Sequence, residues 1–124
     1  MKKILKEINS ETGLTTLIYN NGDQNGPKTA KDKVLFVEYT GYLEDGTIFS
    51  SSDQNGQLFQ FKLGNGQVIP GWDEGFNDKW PGTEMTLIIP PHLAYGDIGS
   101  RNGEIPPEAI ITFDVKIKGV EQGK

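Results

Sequence analysis

The sequence predicts an α+β fold, a curved antiparallel sheet with one short helix against it. Period-two alternation of apolar and polar residues recurs in short segments bounded by turn residues. Only one stretch carries helix signals. The 16 glycines and 7 prolines imply many turns and short strands, not a helical bundle. A length of 124 residues suits a single domain, taken here as 1–124, with a β extension over 1–26.

Leu14 to Tyr19 has the β-branched and aromatic content of a strand. The polar, turn-rich segment from Asn20 to Lys33 reads as a surface loop. Val34 to Tyr42 places Leu35, Val37 and Tyr39 on one face and Phe36 and Glu38 on the other. Asp45-Gly46 makes a hairpin turn into Thr47, Ile48 and Phe49. Leu58 to Leu63 alternates, with Phe59, Phe61 and Leu63 inward. Pro70 to about Asp78 is the helix: proline suits a first turn, Asp73 and Glu74 favour its positive end, and Trp72 and Phe76 share a face. Gly75 weakens it by about 1 kcal/mol relative to alanine, which implies close approach to the sheet. Glu84 to Ile89 turns Met85, Leu87 and Ile89 inward. Ile111 to Val120 does the same with Ile111, Phe113, Val115 and Ile117. Such half-polar strands indicate an antiparallel sheet with one wet face.

Composition excludes several chemistries. There is no cysteine and a single histidine, His92, so disulfides, thiolate zinc sites, cysteine nucleophiles and histidine metal cages are all ruled out. A net charge of −5 with one arginine, Arg101, argues against nucleic acid and anionic membranes as partners. No apolar run approaches the ~20 residues of a membrane span. The basic opening has no apolar stretch after it, which gives no signal peptide and an expected cytoplasmic location. His92 reads as a surface loop residue. Ser50, Ser51 and Ser52 lack the G-x-S-x-G elbow of a hydrolase. Asp73-Glu74 is too isolated for a glycosidase pair. Gly64-Asn65-Gly66 is a turn, not a phosphate loop. What remains is an aromatic set on inward positions, suited to a concave apolar pocket with tyrosine hydroxyls at its rim.

Four blocks reach a known family. Val37 to Ser52 (VEYTGYLEDGTIFSSS), Phe59 to Gly75 (FQFKLGNGQVIPGWDEG), Leu87 to Gly96 (LIIPPHLAYG) and Ile105 to Ile117 (IPPEAIITFDVKI) stand in order over about 27–120. Together they resemble the FKBP-type peptidyl-prolyl cis-trans isomerases. The resemblance implies a half-barrel sheet wrapped around one helix and isomerisation of X–Pro bonds in proline-containing peptides and unfolded protein clients. It implies no cofactor and no metal, and a monomer. The alternative with the same pocket is a non-catalytic proline-peptide binding module.

The resemblance also assigns residues. Tyr39, Phe49, Trp72, Tyr95 and Phe113 become the catalytic surface. Those five with Ser50, Phe59, Val68, Ile69 and Ile105 become the substrate-binding set, with the Ile69 N–H and the Tyr95 hydroxyl holding peptide carbonyls. Two departures stand out. Ser50 replaces the family's usual aspartate, which implies weakened binding of macrolide inhibitors. The loop from Asp97 to Glu104 is polar and one residue longer than the compact family form, with Glu104 where an apolar residue is common.

Overall fold

The computed structural model describes residues 3–52, 57–100 and 102–122. Among them, seven strands form one antiparallel sheet: β1 (Lys6–Asn9), β2 (Thr15–Asn21), β3 (Val34–Tyr42), β4 (Ile48–Ser51), β5 (Phe59–Lys62), β6 (Thr83–Ile89) and β7 (Ile111–Glu121). One α-helix, α1 (Pro70–Gly75), and a 3-10 turn at Pro91–Leu93 complete the described elements. The sheet order is β1-β2-β6-β7-β3-β4, with β5 also paired to β3.

Strand β3 organises the molecule. One edge pairs with β7 from Val34 to Tyr42. The other edge changes partner along its length: Val34–Val37 pairs with β5, and Thr40–Tyr42 pairs with β4. Tyr39 stands at the changeover, where its N–H would be left unpaired. The Ser52 hydroxyl accepts that N–H at 3.0 Å and is itself buried. Leaving a buried donor unpaired costs about 1–3 kcal/mol, so Ser52 has a structural use. At the other end of β3 the expected turn forms: the Leu43 N–H donates to the Thr47 carbonyl, and Gly46 takes φ +89°.

The concave face holds the core. Leu35 and Val37 of β3, Met85, Leu87 and Ile89 of β6, and Ile111, Phe113, Val115 and Ile117 of β7 are all buried, as their alternation predicts. The helix lies against β6 through its two glycines. A Cβ on Gly75 would come within 2.7 Å of Leu87 Cδ2, and one on Gly71 within 2.6 Å of Ile89 Cγ2. The low helix propensity of Gly75 is thus traded for contact with the sheet. Trp72 and Phe76 project from the helix into the core, with Phe76 fully buried.

Three expectations are corrected. The helix ends at Gly75, not near Asp78: the Phe76 carbonyl is taken by the Thr29 hydroxyl at 2.6 Å, and Asp78 adopts φ +63°. For the same reason the Asn20–Lys33 segment is not simply a surface loop. β2 runs on to Asn21, and Thr29 is buried, also accepting the Lys79 N–H at 2.7 Å. β1, which has no apolar alternation, pairs with β2. Phe59, expected inward, is 37% exposed, because the cavity it faces is open.

The wet face also carries a buried polar chain. Thr86 is buried there and donates to Asp114 Oδ1 at 2.6 Å. Its oxygen therefore accepts from the Tyr19 hydroxyl at 2.9 Å. Tyr19 is the extra residue of a β-bulge between Ile18 and Asn20, which re-aims its side chain over the sheet.

Candidate functional site

A cavity of about 510 Å³ opens between the helix, β3–β5 and the loop after the 3-10 turn. Trp72 forms its floor and is 4% exposed. The indole is ringed by edge-on aromatics: Phe113 at 5.1 Å, Tyr39 at 5.2 Å and Phe59 at 5.7 Å between centroids. Below it, Phe76 at 5.0 Å and Phe61 at 5.6 Å fill the core. Edge-to-face pairs of this kind contribute about 0.5–1.5 kcal/mol each beyond burial. The Trp72 Nε1–H is the one buried side-chain polar atom without a partner among the described residues.

Phe49 closes one wall, 5.5 Å from Phe113. Consecutive strand residues normally face opposite sides of a sheet, yet Phe49 and Ser50 both line the cavity. A β-bulge explains this. Gly41 pairs with Ser50 and Tyr42 with Ile48, so Phe49 is the additional residue. Its ring then crosses Gly41, where a Cβ would lie 2.7 Å from both Phe49 Cζ and Phe113 Cε1. Ser50 Oγ sits 2.9 Å from the Tyr39 hydroxyl.

The opposite wall is Val68-Ile69, held by hydrogen bonds from the preceding turn. The Asp73 carboxylate accepts the Gly64 and Gly66 N–H groups at 2.8 and 3.2 Å, and Gln67 Oε1 accepts the Lys62 N–H at 2.8 Å. The Ile69 carbonyl starts the helix by accepting the Trp72 N–H at 2.9 Å. The Ile69 N–H has no acceptor among the described residues. Tyr95 stands at the rim, 38% exposed. Burial, and secondarily the neighbouring Tyr39, pushes its phenol above the usual tyrosine range. The hydroxyl therefore keeps its proton at neutral pH and can donate. Ile105 is buried and closes the far side.

All ten residues assigned to substrate from the sequence line this one cavity. Gln67, Ser100 and Asn102 also line it and carried no sequence signal. Glu104, noted in the sequence as standing where an apolar residue is common, lines it too. The conventional catalytic candidates lie elsewhere. His92 is exposed, and its Nε2 bonds the Thr12 carbonyl. Glu74 accepts the Thr12 hydroxyl. Ser51 and Ser52 bond Thr40 and the Tyr39 backbone. No group of three or more histidines or carboxylates able to hold a metal occurs among the described residues.

Such a cup can do one thing well. It takes a compact, uncharged ring into apolar surroundings and offers hydrogen-bond donors, from Ile69 and Tyr95, to the groups beside it.

Residues 26–118 match the family model described as FKBP-type peptidyl-prolyl cis-trans isomerase. The chain is 46% identical over 94 residues to FK506-binding protein 2 of Yarrowia lipolytica, covering 76% of this chain and 65% of that protein. It is 46% identical over 92 residues to the FK506-binding protein of Neisseria meningitidis serogroup C, covering 74% of this chain and 84% of the relative. The crystal structure of FkpA from Escherichia coli superposes with a TM-score of 0.85 at 35% identity, covering 95% of this chain and 53% of that one.

Proposed function

Because the chain belongs to the FKBP-type peptidyl-prolyl cis-trans isomerase family, we propose that its cavity accelerates rotation about X–Pro bonds in peptides and unfolded protein clients. The observation that carries this reading is the aromatic cup of Tyr39, Phe59 and Phe113 over Trp72, with hydrogen-bond donors at its rim.

The X–Pro bond turns slowly because rotation breaks amide resonance, against a barrier of ~18–20 kcal/mol. The planar amide carries charge separation between oxygen and nitrogen, and the twisted amide has lost much of it. Moving the bond from water into apolar walls costs the planar state more, so the barrier falls. Each tenfold acceleration needs about 1.4 kcal/mol of that difference. The pyrrolidine ring fits against Trp72, with Phe49 and Phe113 beside it. The Ile69 N–H and Tyr95 hydroxyl hold the flanking carbonyls. Tyr39, Phe49, Trp72, Tyr95 and Phe113 are the surface against which the bond turns, and the chain acts as a monomer. The test is the isomerisation rate of an X–Pro tetrapeptide with phenylalanine before the proline, with and without protein. Saturable binding without acceleration identifies a binding module instead.

No titrating group takes part, and Tyr95 is held protonated by its raised pKa. The rate is therefore expected to be flat from about pH 6 to about pH 8, falling only above about pH 10 as tyrosine ionises. His92→Ala is expected to stay within about twofold of the natural rate, with about 0.5–1.5 kcal/mol of stability lost with its bond to Thr12. A bell-shaped profile across neutral pH, or a dead His92→Ala protein, refutes the desolvation mechanism.

Macrolide inhibitors compete for the same cup. Ser50 offers them, and Tyr39, a neutral partner where a carboxylate is usual. A charged hydrogen bond is worth about 1.5–3 kcal/mol and a neutral one about 0.5–1.5 kcal/mol. Ser50→Asp is expected to tighten macrolide binding by about 5- to 30-fold while changing peptide isomerisation less than about threefold. Calorimetry on both proteins checks the first figure and the tetrapeptide assay the second.

A further inference from the structure

Among the described residues, Glu104 supplies the single formal charge on the cavity wall. The other polar lining side chains, Ser50, Gln67, Ser100, Asn102 and the two tyrosines, carry no formal charge. Its position is fixed by a compact turn. The Glu104 N–H and the Ser100 hydroxyl both donate to Asn102 Oδ1, at 3.1 and 2.8 Å. The Ile105 N–H donates to Ser100 Oγ at 2.9 Å, the Ser100 N–H returns to the Ile105 carbonyl at 3.0 Å, and Gly103 closes the turn at φ +78°. Ile105 plugs the wall and is only 4% exposed, so the residue before it is held at the cavity mouth. The ion pairs among the described residues, Lys28–Asp78 and Lys118–Glu38, lie on other segments. Glu104 meets no compensating cation among them.

We propose that Glu104 makes the site selective for X–Pro segments in which lysine or arginine flanks the proline. The inference rests on the isomerase reading and deepens it by naming the substrate class. With the pyrrolidine ring in the cup, the flanking Cα atoms lie only about 3.8 Å along the chain from the proline. A basic side chain there spans to the mouth and meets the carboxylate over apolar walls, where charges interact more strongly than in bulk water. An acidic residue at the same place meets repulsion. Among the described rim residues no second charge cancels either effect. Because Glu104 is exposed, the discrimination is modest and weakens with salt.

Two series of N-acetylated X–Pro tetrapeptides test this, varying in turn the residue before and the residue after proline among lysine, leucine and glutamate. In at least one series, kcat/KM for lysine is expected to exceed that for glutamate by about threefold or more in ~20 mM salt, shrinking toward unity in ~500 mM salt. Glu104→Gln is expected to bring the ratio below about 1.5, and Glu104→Lys to invert it. The leucine peptides report the isomerase reading separately. If none of them is accelerated, that reading fails. If they are accelerated while both lysine-to-glutamate ratios stay near unity, or if the ratio survives unchanged in Glu104→Lys, charge selection by Glu104 is overturned and isomerase activity stands.

Discussion

Trp72→Ala is expected to destabilise the protein by about 3–5 kcal/mol, the usual cost of emptying a buried tryptophan site, and to abolish detectable isomerisation. The indole is both the floor of the cavity and the hub of the aromatic cluster, with five rings within 6 Å of its centroid. Its loss removes edge contacts on the cavity side and on the core side together. The surroundings cannot collapse freely, because the helix backbone is already seated against Leu87 and Ile89 through Gly75 and Gly71. Trp72→Leu refills part of the volume, leaves no polar atom unpaired, and is expected to recover about half of the lost stability with measurable turnover. Denaturant unfolding and the tetrapeptide assay on both proteins check this. A stable, fully active Trp72→Ala protein places the reaction elsewhere.

Gly41→Ala is the second large effect. The new methyl would stand 2.7 Å from two aromatic rings, so both must give. Phe49 is partly exposed and on the short strand β4, whereas Phe113 is 4% exposed on the central strand β7. Phe49 therefore yields and swings out of the wall. Overpacking of this kind costs about 1–3 kcal/mol, and losing the wall lowers kcat/KM by about tenfold or more. The two losses have separable origins. In a Gly41→Ala, Phe49→Leu double variant the clash with Phe49 is relieved and that with Phe113 remains, so stability returns in part while activity does not. If Gly41→Ala lowers stability without touching kcat/KM, Phe49 is not part of the working surface.

How legible this was varies by residue. The strand that carries Leu35 and Val37, the inward rows of β6 and β7, and the pairing of Trp72 with Phe76 follow from period-two and i,i+4 spacing, because burial on one face is what those periods encode. The use of Gly75 was legible too, since a helix breaker inside a helix asks for a packing reason. The helix end was not. It is set by a hydroxyl 47 residues away, Thr29 on the Phe76 carbonyl, and no local pattern announces a distant cap. The bounds of β1 within the β extension were hidden because its residues are mostly exposed and its pairing comes from the neighbouring edge. In the cavity, the aromatic members could be named from the family blocks and their inward phase. That Phe49 and Ser50 share a side came from the family block alone, because a bulge breaks the alternation from which sides are read. Ser100 and Asn102 enter through a loop whose shape is made by their own side chains, and polar loop residues look alike in sequence whether they face a cavity or water.

The position of β7 bears on how the molecule comes into being. β7 lies between β6 and β3, so the half-sheet β1-β2-β6 and the half-sheet β3-β4-β5 have no strand in common until it is laid down. It is also the last of the described strands along the chain, and its partners in β3 precede it by 70 residues or more. During synthesis the two halves can therefore only wait, with Leu35 and Val37 facing one side of a gap and Leu87 and Ile89 the other. Closing such a distant pairing is slow, because chain entropy is lost before contacts repay it. The aromatic cup, which needs Phe113 from this strand, forms at that closure and not before. The cavity is thus absent from either half-sheet alone and comes into being only when the two are joined.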